Sequence, residues 1–220
     1  MGYQMVRTDA VTGRYIAVEG PIGVGKSEMV EALQKRVSAK TYLDGPNPFL
    51  DQFYQDMEKN AFQAQLYFLL NRFQQQRDLA QGDLFSKTIL CDYLFQKDRL
   101  FAGLNLSSHE YALYEKVYSL LQGTIATPDV VIYLQADLDT LLDRLAKKDE
   151  GLALLMPEDY LKEVVQAYQT FFFHYTDAPV VVCNTSKGDF AKDPANLDLL
   201  LRTLEQAKTG IHYLNPEEQA

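Results

Sequence analysis

Gly20-Pro21-Ile22-Gly23-Val24-Gly25-Lys26-Ser27 satisfies every fixed position of the pattern G-x-x-x-x-G-K-[ST]. The residues just before it, 14–19, form a short apolar and β-branched run that reads as a buried strand. Just after it, residues 27–40 set Met29, Val30, Leu33 and Val37 at helical spacing between charges. Strand, glycine loop and helix together make a physical device. Gly20, Gly23 and Gly25 let consecutive N–H groups curl around an anion, and the helix start adds the positive end of its dipole. Lys26 is expected to reach β- and γ-phosphates, and Ser27 to hold Mg²⁺ through its hydroxyl. The stretch predicts a nucleotide phosphate site.

The whole chain bounds what that site serves. At 220 residues and 47% apolar composition it can bury one large core. Its net charge of −9 argues against nucleic acid polymers and anionic membrane surfaces as partners. A small triphosphate remains compatible, because its charge is met locally at the loop. Cys91 and Cys183 each end an apolar run and form no C-x-x-C pair, so they read as buried thiols in a reducing compartment. The first twelve residues lack a signal-like apolar stretch, and Val6 stands where myristoylation after Met1-Gly2 needs Ser or Thr. No apolar run approaches bilayer-spanning length. The expectation is a soluble, cytoplasmic protein.

Further strands are read at 41–44, 88–91, 130–134 and 180–183, making five. Helices are read at 49–58, 60–81 (broken by Gly82), 108–122, 137–148, 157–175 and 194–208, with a helical region around Asp98 and Arg99. Gly45-Pro46-Asn47-Pro48 must be irregular, and 151–156 reads as a loop despite its apolar run. The alternation predicts a three-layer α/β fold with a five-stranded parallel sheet and helices on both faces. One domain is expected over 14–208, between a flexible N-terminus, 1–13, and a C-terminal tail, 209–220. Ligands in this architecture sit outside the carboxyl ends of the strands, which marks Asp44, Asp92 and Asn184 on topology alone.

Beyond the loop, several pieces occur in a telling order: Asn47-Pro48-Phe49-Leu50 with Phe53-Tyr54, then Phe62-Gln63-Ala64-Gln65-Leu66-Tyr67 with Arg72, then Cys91-Asp92-Tyr93-Leu94-Phe95 with Lys97-Asp98-Arg99-Leu100-Phe101-Ala102. From about Tyr15 to the C-terminal helix the chain resembles the deoxyribonucleoside kinase family, in its bacterial deoxyguanosine and deoxyadenosine kinase branch. The resemblance implies ATP with Mg²⁺ as donor and phosphorylation of the 5′-hydroxyl of a deoxyribonucleoside, a purine one, in nucleotide salvage. It implies that Gln65 pairs with the base, that Arg72 and Asp98 complete the base contacts, and that Tyr54 holds the 3′-hydroxyl. Asp92 would orient the nucleophile or hold Mg²⁺ with Ser27. Asp189 and Phe190 would lie against the adenine. A lid at about 144–156 and a homodimer pairing helices 60–81 and 108–122 are also implied.

Three departures from the family pattern stand out. Its members carry a glutamate base at the end of the second strand, whereas this chain has Thr41-Tyr42-Leu43-Asp44-Gly45, so Asp44 or Asp92 must serve. At the third strand the family more often has Glu-Arg-Ser, and here Asp92-Tyr93-Leu94 keeps the acid and lacks the arginine. Family lids carry several arginines and a glutamate for the 3′-hydroxyl. Here Arg144, Lys147 and Lys148 are the lid cations, and Ala153 stands at the glutamate position. Arg144 alone keeps a bidentate fork, and Lys148 adds a point charge for the ATP phosphates. Two other readings stay open: a weakly or non-catalytic nucleotide-binding relative, and a GTPase-type switch suggested by Ser186-Lys187-Gly188-Asp189.

Overall fold

A computed structural model describes residues 11–80 and 88–216. The N-terminal residues 1–10 and the helix break at Gly82 lie outside them. β1 (Tyr15–Glu19) leads into α1 (Lys26–Gln34), and β2 (Ala39–Tyr42) is followed by α2 (Leu50–Gln55) and α3 (Met57–Ala80). Then come β3 (Thr88–Cys91), α4 (Lys97–Asn105), α5 (Ser108–Leu121) and β4 (Val130–Gln135). The chain continues through α6 (Leu138–Lys148), α7 (Glu150–Leu155), α8 (Glu158–His174), β5 (Val180–Asn184), α9 (Pro194–Gln206) and β6 (Ile211–Leu214).

The strands form one sheet in the order β2-β3-β1-β4-β5-β6, every pairing parallel. Parallel neighbours need a crossover, and helices supply each one. The five residues of β1 are all buried, as are the first five of β4 and the first four of β5. This is the continuous apolar pattern of strands covered on both faces. Fully burying a side chain such as Ile132 contributes roughly 1.5–3 kcal/mol. The caps are local: Ser107 and Glu110 form a reciprocal box at the start of α5, and the Asp137 carboxylate accepts the Thr140 N–H at α6 (2.8 Å).

Three sequence expectations are corrected. The sheet has six strands, not five, because Ile211–Leu214, within the stretch read as a tail, pairs in register with β5. Only Leu214 of this edge strand is buried, so its composition carries little signal. The apolar run at 151–156 is not a loop; it forms α7, whose start is capped by Asp149 accepting the Leu152 N–H (2.9 Å). Finally, α1 stops at Gln34 because Ala39 and Lys40 pair with Thr88 and Ile89 in the sheet. β2 therefore ends at Tyr42, and Asp44 stands two residues beyond it in irregular chain.

β1 lies between β3 and β4, so the chain runs outward on opposite sides of its carboxyl end. That is where an open α/β sheet leaves a crevice, and the glycine loop opens into it.

Candidate active site

The loop is shaped by positions a side chain would spoil. A Cβ on Gly20 (φ 153°) would fall on the Leu134 carbonyl, and one on Gly23 (φ 82°) would come 2.9 Å from Leu145 Cγ. Gly25 (φ 101°) starts α1 in the left-handed region, and no side chain caps that helix. Its first N–H groups are thus left to an anion. Lys26 Nζ folds back over the loop, donating to the carbonyls of Gly20 (2.7 Å) and Pro21 (3.2 Å). Burial, and then the neighbouring Lys97, lower its pKa to about 8.

Glu19, just ahead of the loop, is fully buried. Its Oε1 accepts from the Gly20 N–H and the Tyr168 hydroxyl (2.9 Å each), and its Oε2 from the Leu94 N–H (2.7 Å). One carboxylate therefore ties the loop to the β3–α4 connection and to α8.

On the β3 side of the loop lies a mostly apolar cavity with a charged floor. Asp44, Tyr54, Gln65, Arg72, Lys97 and Lys26 all line it. Arg72 grips Asp44 with two parallel bonds, Nε to Oδ1 (2.7 Å) and Nη2 to Oδ2 (2.5 Å). Its Nη1 donates to Asp98 Oδ2 (2.7 Å), and Gln65 Nε2 donates to Asp98 Oδ1 (2.7 Å) and to the Asp98 carbonyl (3.0 Å). Lys97 Nζ approaches Asp44 Oδ2 at 3.1 Å. Desolvation alone would raise the Asp44 pKa, but Arg72 and Lys97 outweigh it and hold the carboxyl well below the usual range. Asp98, fully buried behind Gln65 and Arg72, is raised by desolvation against the pull of Arg72. Phe68 packs its ring 4.6 Å from the Arg72 guanidinium, fixing the fork from the other side. Tyr54 sits on α2 against Phe53, 5.1 Å between ring centres. The Asn47 side chain holds the loop before α2 to the Ala64 carbonyl of α3 (2.9 Å), which keeps Asp44 over the cavity.

Asp92 occupies the space between cavity and loop. Its Oδ1 accepts the Asp44 backbone N–H (2.6 Å), and its Oδ2 accepts from the Ser27 hydroxyl (3.3 Å). Burial raises its pKa. A hydroxyl and a carboxylate oxygen side by side beneath a phosphate loop fit Mg²⁺, which takes one or two protein oxygens and completes its shell with phosphates and water. No group of three or more His, Cys, Asp or Glu among the described residues forms a dedicated metal cage.

A second pocket opens on the other side of the loop. Gly23, Gly25, Arg144, Lys148, Asp189 and Phe190 contribute to its walls. Arg144 donates from Nη1 to the Val24 carbonyl (3.1 Å) and Thr185 Oγ1 (2.9 Å), and from Nη2 to the Thr185 carbonyl (2.7 Å). Lys148 pairs with Glu28 at 2.6 Å. Phe190 is buried beneath the pocket, and Asp189 Oδ1 accepts the N–H groups of Ala191 and Lys192 (2.9 Å each). Asn184 Oδ1 accepts the Ser186 N–H (3.1 Å) and so shapes its own turn.

The expected residues thus fall into two groups divided by the loop. Tyr54, Gln65, Arg72, Asp98 and Asp44 gather on one side, and Arg144, Lys148, Asp189 and Phe190 on the other. The lid's Ala153 does not line the first cavity, whereas its neighbour Leu152 does. Sequence reading missed Lys97, Glu19 and Thr185. The one signal for Lys97 was a lysine opening a helix, where acids are favoured.

The family model described as "Deoxynucleoside kinase" matches residues 16–207. The chain belongs to the deoxynucleoside kinase family. It is 32% identical over 182 residues to "Deoxyguanosine kinase" of Bacillus subtilis (strain 168), covering 81% of this chain and 88% of that one. It is 29% identical over 205 residues to "Deoxyadenosine/deoxycytidine kinase" of the same organism, covering 90% and 93%. Among solved structures it resembles deoxyadenosine kinase from M. mycoides with products dCMP and a flexible dCDP bound. That match has a TM-score of 0.76 and 25% identity, and covers 87% of this chain and 99% of the other. As expected from the sequence, kinship lies with this family, and with it the GTPase-type reading loses its support.

Proposed function

We propose that this deoxynucleoside kinase relative transfers the γ-phosphoryl group of ATP to the 5′-hydroxyl of a purine deoxyribonucleoside, in nucleotide salvage. The observation that carries the proposal is the pair of pockets that share one phosphate loop. Lys26 lines the first cavity while Gly23 and Gly25 of the same loop line the second. A nucleoside in the first and a triphosphate in the second would bring acceptor oxygen and γ-phosphorus together over Lys26. The M. mycoides deoxyadenosine kinase, with products dCMP and a flexible dCDP bound, supports a transfer between two nucleotides.

Asp44 is the base in this scheme, because it lines the acceptor cavity and Asp92 does not. Asp92 and Ser27 would hold Mg²⁺, which supplies charge neutralisation of the β- and γ-phosphates. Gln65 gives its amide N–H to Asp98 and so turns its oxygen to the base. Arg72 keeps two of its five N–H groups uncommitted to the carboxylates. An acceptor and planar donors suit the edge of a purine, and the kinases named for deoxyguanosine and deoxyadenosine among its relatives support that class. Arg144 is a wall of the donor pocket in this scheme, with Asp189 and Phe190 on the adenine side and Lys148 near the phosphates.

The chain is read as a cytoplasmic homodimer. Free, buried Cys91 and Cys183 suit a reducing compartment, and no helix among the described residues is long and apolar enough to cross a membrane. Leu70 on α3 with Leu113 and Leu120 on α5 leave apolar surface for a second copy. The test of function is a panel of natural deoxynucleosides with ATP and Mg²⁺, scored by 5′-monophosphate formed. Turnover of purine deoxynucleosides is expected. Nucleotide binding without turnover on any of them overturns the kinase reading in favour of a non-catalytic relative.

A further inference from the structure

We propose that Lys97 is the acceptor-side cation of phosphoryl transfer, releasing Asp44 to the nucleoside 5′-hydroxyl and turning its ammonium to the phosphoryl group that arrives there. The inference rests on the kinase reading above and adds a residue to it.

Nothing in local structure favours a lysine here. Lys97 is the first residue of α4, where the helix dipole repels a cation, and it is only 3% exposed, so it has lost its hydration. Its ammonium lies 3.1 Å from Asp44 Oδ2 and 3.6 Å from Glu19 Oε2. Both carboxylates are already hydrogen-bonded without it. Asp44 holds the two-bond grip of Arg72, and Glu19 accepts from Gly20, Leu94 and Tyr168. Lys97 is therefore a second cation on Asp44 and the cation that faces Glu19, while both carboxylates keep other hydrogen-bond partners.

Its position gives it a use. Lys97 and Lys26 line the same cavity. Two buried ammonium groups facing one space repel each other until an anion stands between them. The 5′-oxygen and the γ-phosphorus must meet in that space. There the bond from the 5′-oxygen to γ-phosphorus forms. The bond from γ-phosphorus to the bridging oxygen breaks, its electron pair leaving on ADP, and the hydroxyl proton passes to Asp44. As Lys97 shifts from Asp44 to the phosphoryl oxygens, it frees a lone pair of Asp44 Oδ2 to take the hydroxyl proton.

The test compares a deoxynucleoside with its 5′-monophosphate by calorimetry, on the wild type and Lys97→Gln, with Mg-ATP turnover measured alongside. Lys97→Gln is expected to weaken the monophosphate by roughly tenfold or more and leave the nucleoside within about threefold. It should lower kcat by roughly a hundredfold with the KM for ATP little changed. Lys97→Arg should regain most of the monophosphate affinity. Unchanged monophosphate affinity, or equal weakening of both ligands, overturns the assignment and makes Lys97 a strut of the cavity floor. Should the glutamine variant melt below assay temperature, Lys97→Met keeps the buried stem and is judged by the same two affinities. A wild type without turnover whose monophosphate preference still depends on Lys97 overturns the kinase reading and supports the phosphoryl contact.

Discussion

The two pockets flank one loop but are held in shape by different means. The acceptor floor is a chain of mostly buried polar and charged groups, Gln65 to Asp98 to Arg72 to Asp44 to Lys97. The donor pocket leans on solvent-facing pairs such as Lys148 with Glu28, whose side chains are 63% and 45% exposed. Breaking a buried pair by removing one partner costs about 3–5 kcal/mol, whereas an exposed pair is worth about 0–1 kcal/mol. Selectivity should therefore reside in the acceptor side, where a wrong ligand meets fixed groups. The donor side should hold its ligand mainly through the backbone of the loop.

The most severe way to break this division is Lys26→Ala, since Lys26 serves the space between both pockets. Calorimetry should find no measurable ATP binding, and turnover should fall by roughly 10³-fold or more. Retained wild-type affinity would sink the phosphate-loop assignment.

Asp44→Asn attacks the acceptor-side chain of charges alone. It removes the proposed base, for an expected loss of roughly 10²–10⁴-fold in kcat, and leaves Arg72 and Lys97 short of a counter-charge. Thermal melting should fall with it. A carboxylate held below its unfolded pKa contributes stability above the ordinary carboxylate range and loses it on acidification. The variant should accordingly show a flatter acid limb in melting temperature than the wild type. Activity close to wild type would move the base to Asp92.

Gln65→Ala tests where selectivity lies. Purine deoxynucleoside binding should weaken by roughly 1–3 kcal/mol, the cost of an unpaired buried polar group, with ATP affinity untouched. Equal effects on all nucleosides would show a packing role instead.

The mildest change sharpens the donor side. Arg144→Lys removes the three-bond grip on Val24 and Thr185, so the KM for ATP should rise a few-fold while kcat stays within about twofold. A large drop in kcat at unchanged ATP affinity would mean that the guanidinium leaves these partners for the transferring phosphoryl group.

Much of this was legible before any coordinates, for identifiable reasons. The glycine loop and the central strands are written in strong local patterns, and Gln65, seven residues before Arg72, had to share a face of α3 with it. What stayed hidden depends on contacts distant in sequence. β6 is an edge strand with one buried residue, recognisable only by its pairing with β5. α7 hides behind Gly151 and a single aspartate cap. Lys97 looked like one charge in a charged run, and its burial comes from Asp44 and Glu19, 53 and 78 positions away in the chain. The partners of Arg144, Val24 and Thr185, were equally hidden, because a backbone carbonyl and a hydroxyl carry no pattern to betray them.

Asp149 ends α6 and begins α7, a single extended residue at φ −152° and ψ 91° between two helices. Arg144 stands on one arm of this elbow, in the wall of the donor pocket, and Leu152 on the other, in the wall of the acceptor cavity. The two walls are eight residues apart on one continuous rod bent at one joint. One short stretch of chain thus furnishes a wall to each pocket, and a substitution at its joint bears on both pockets at once.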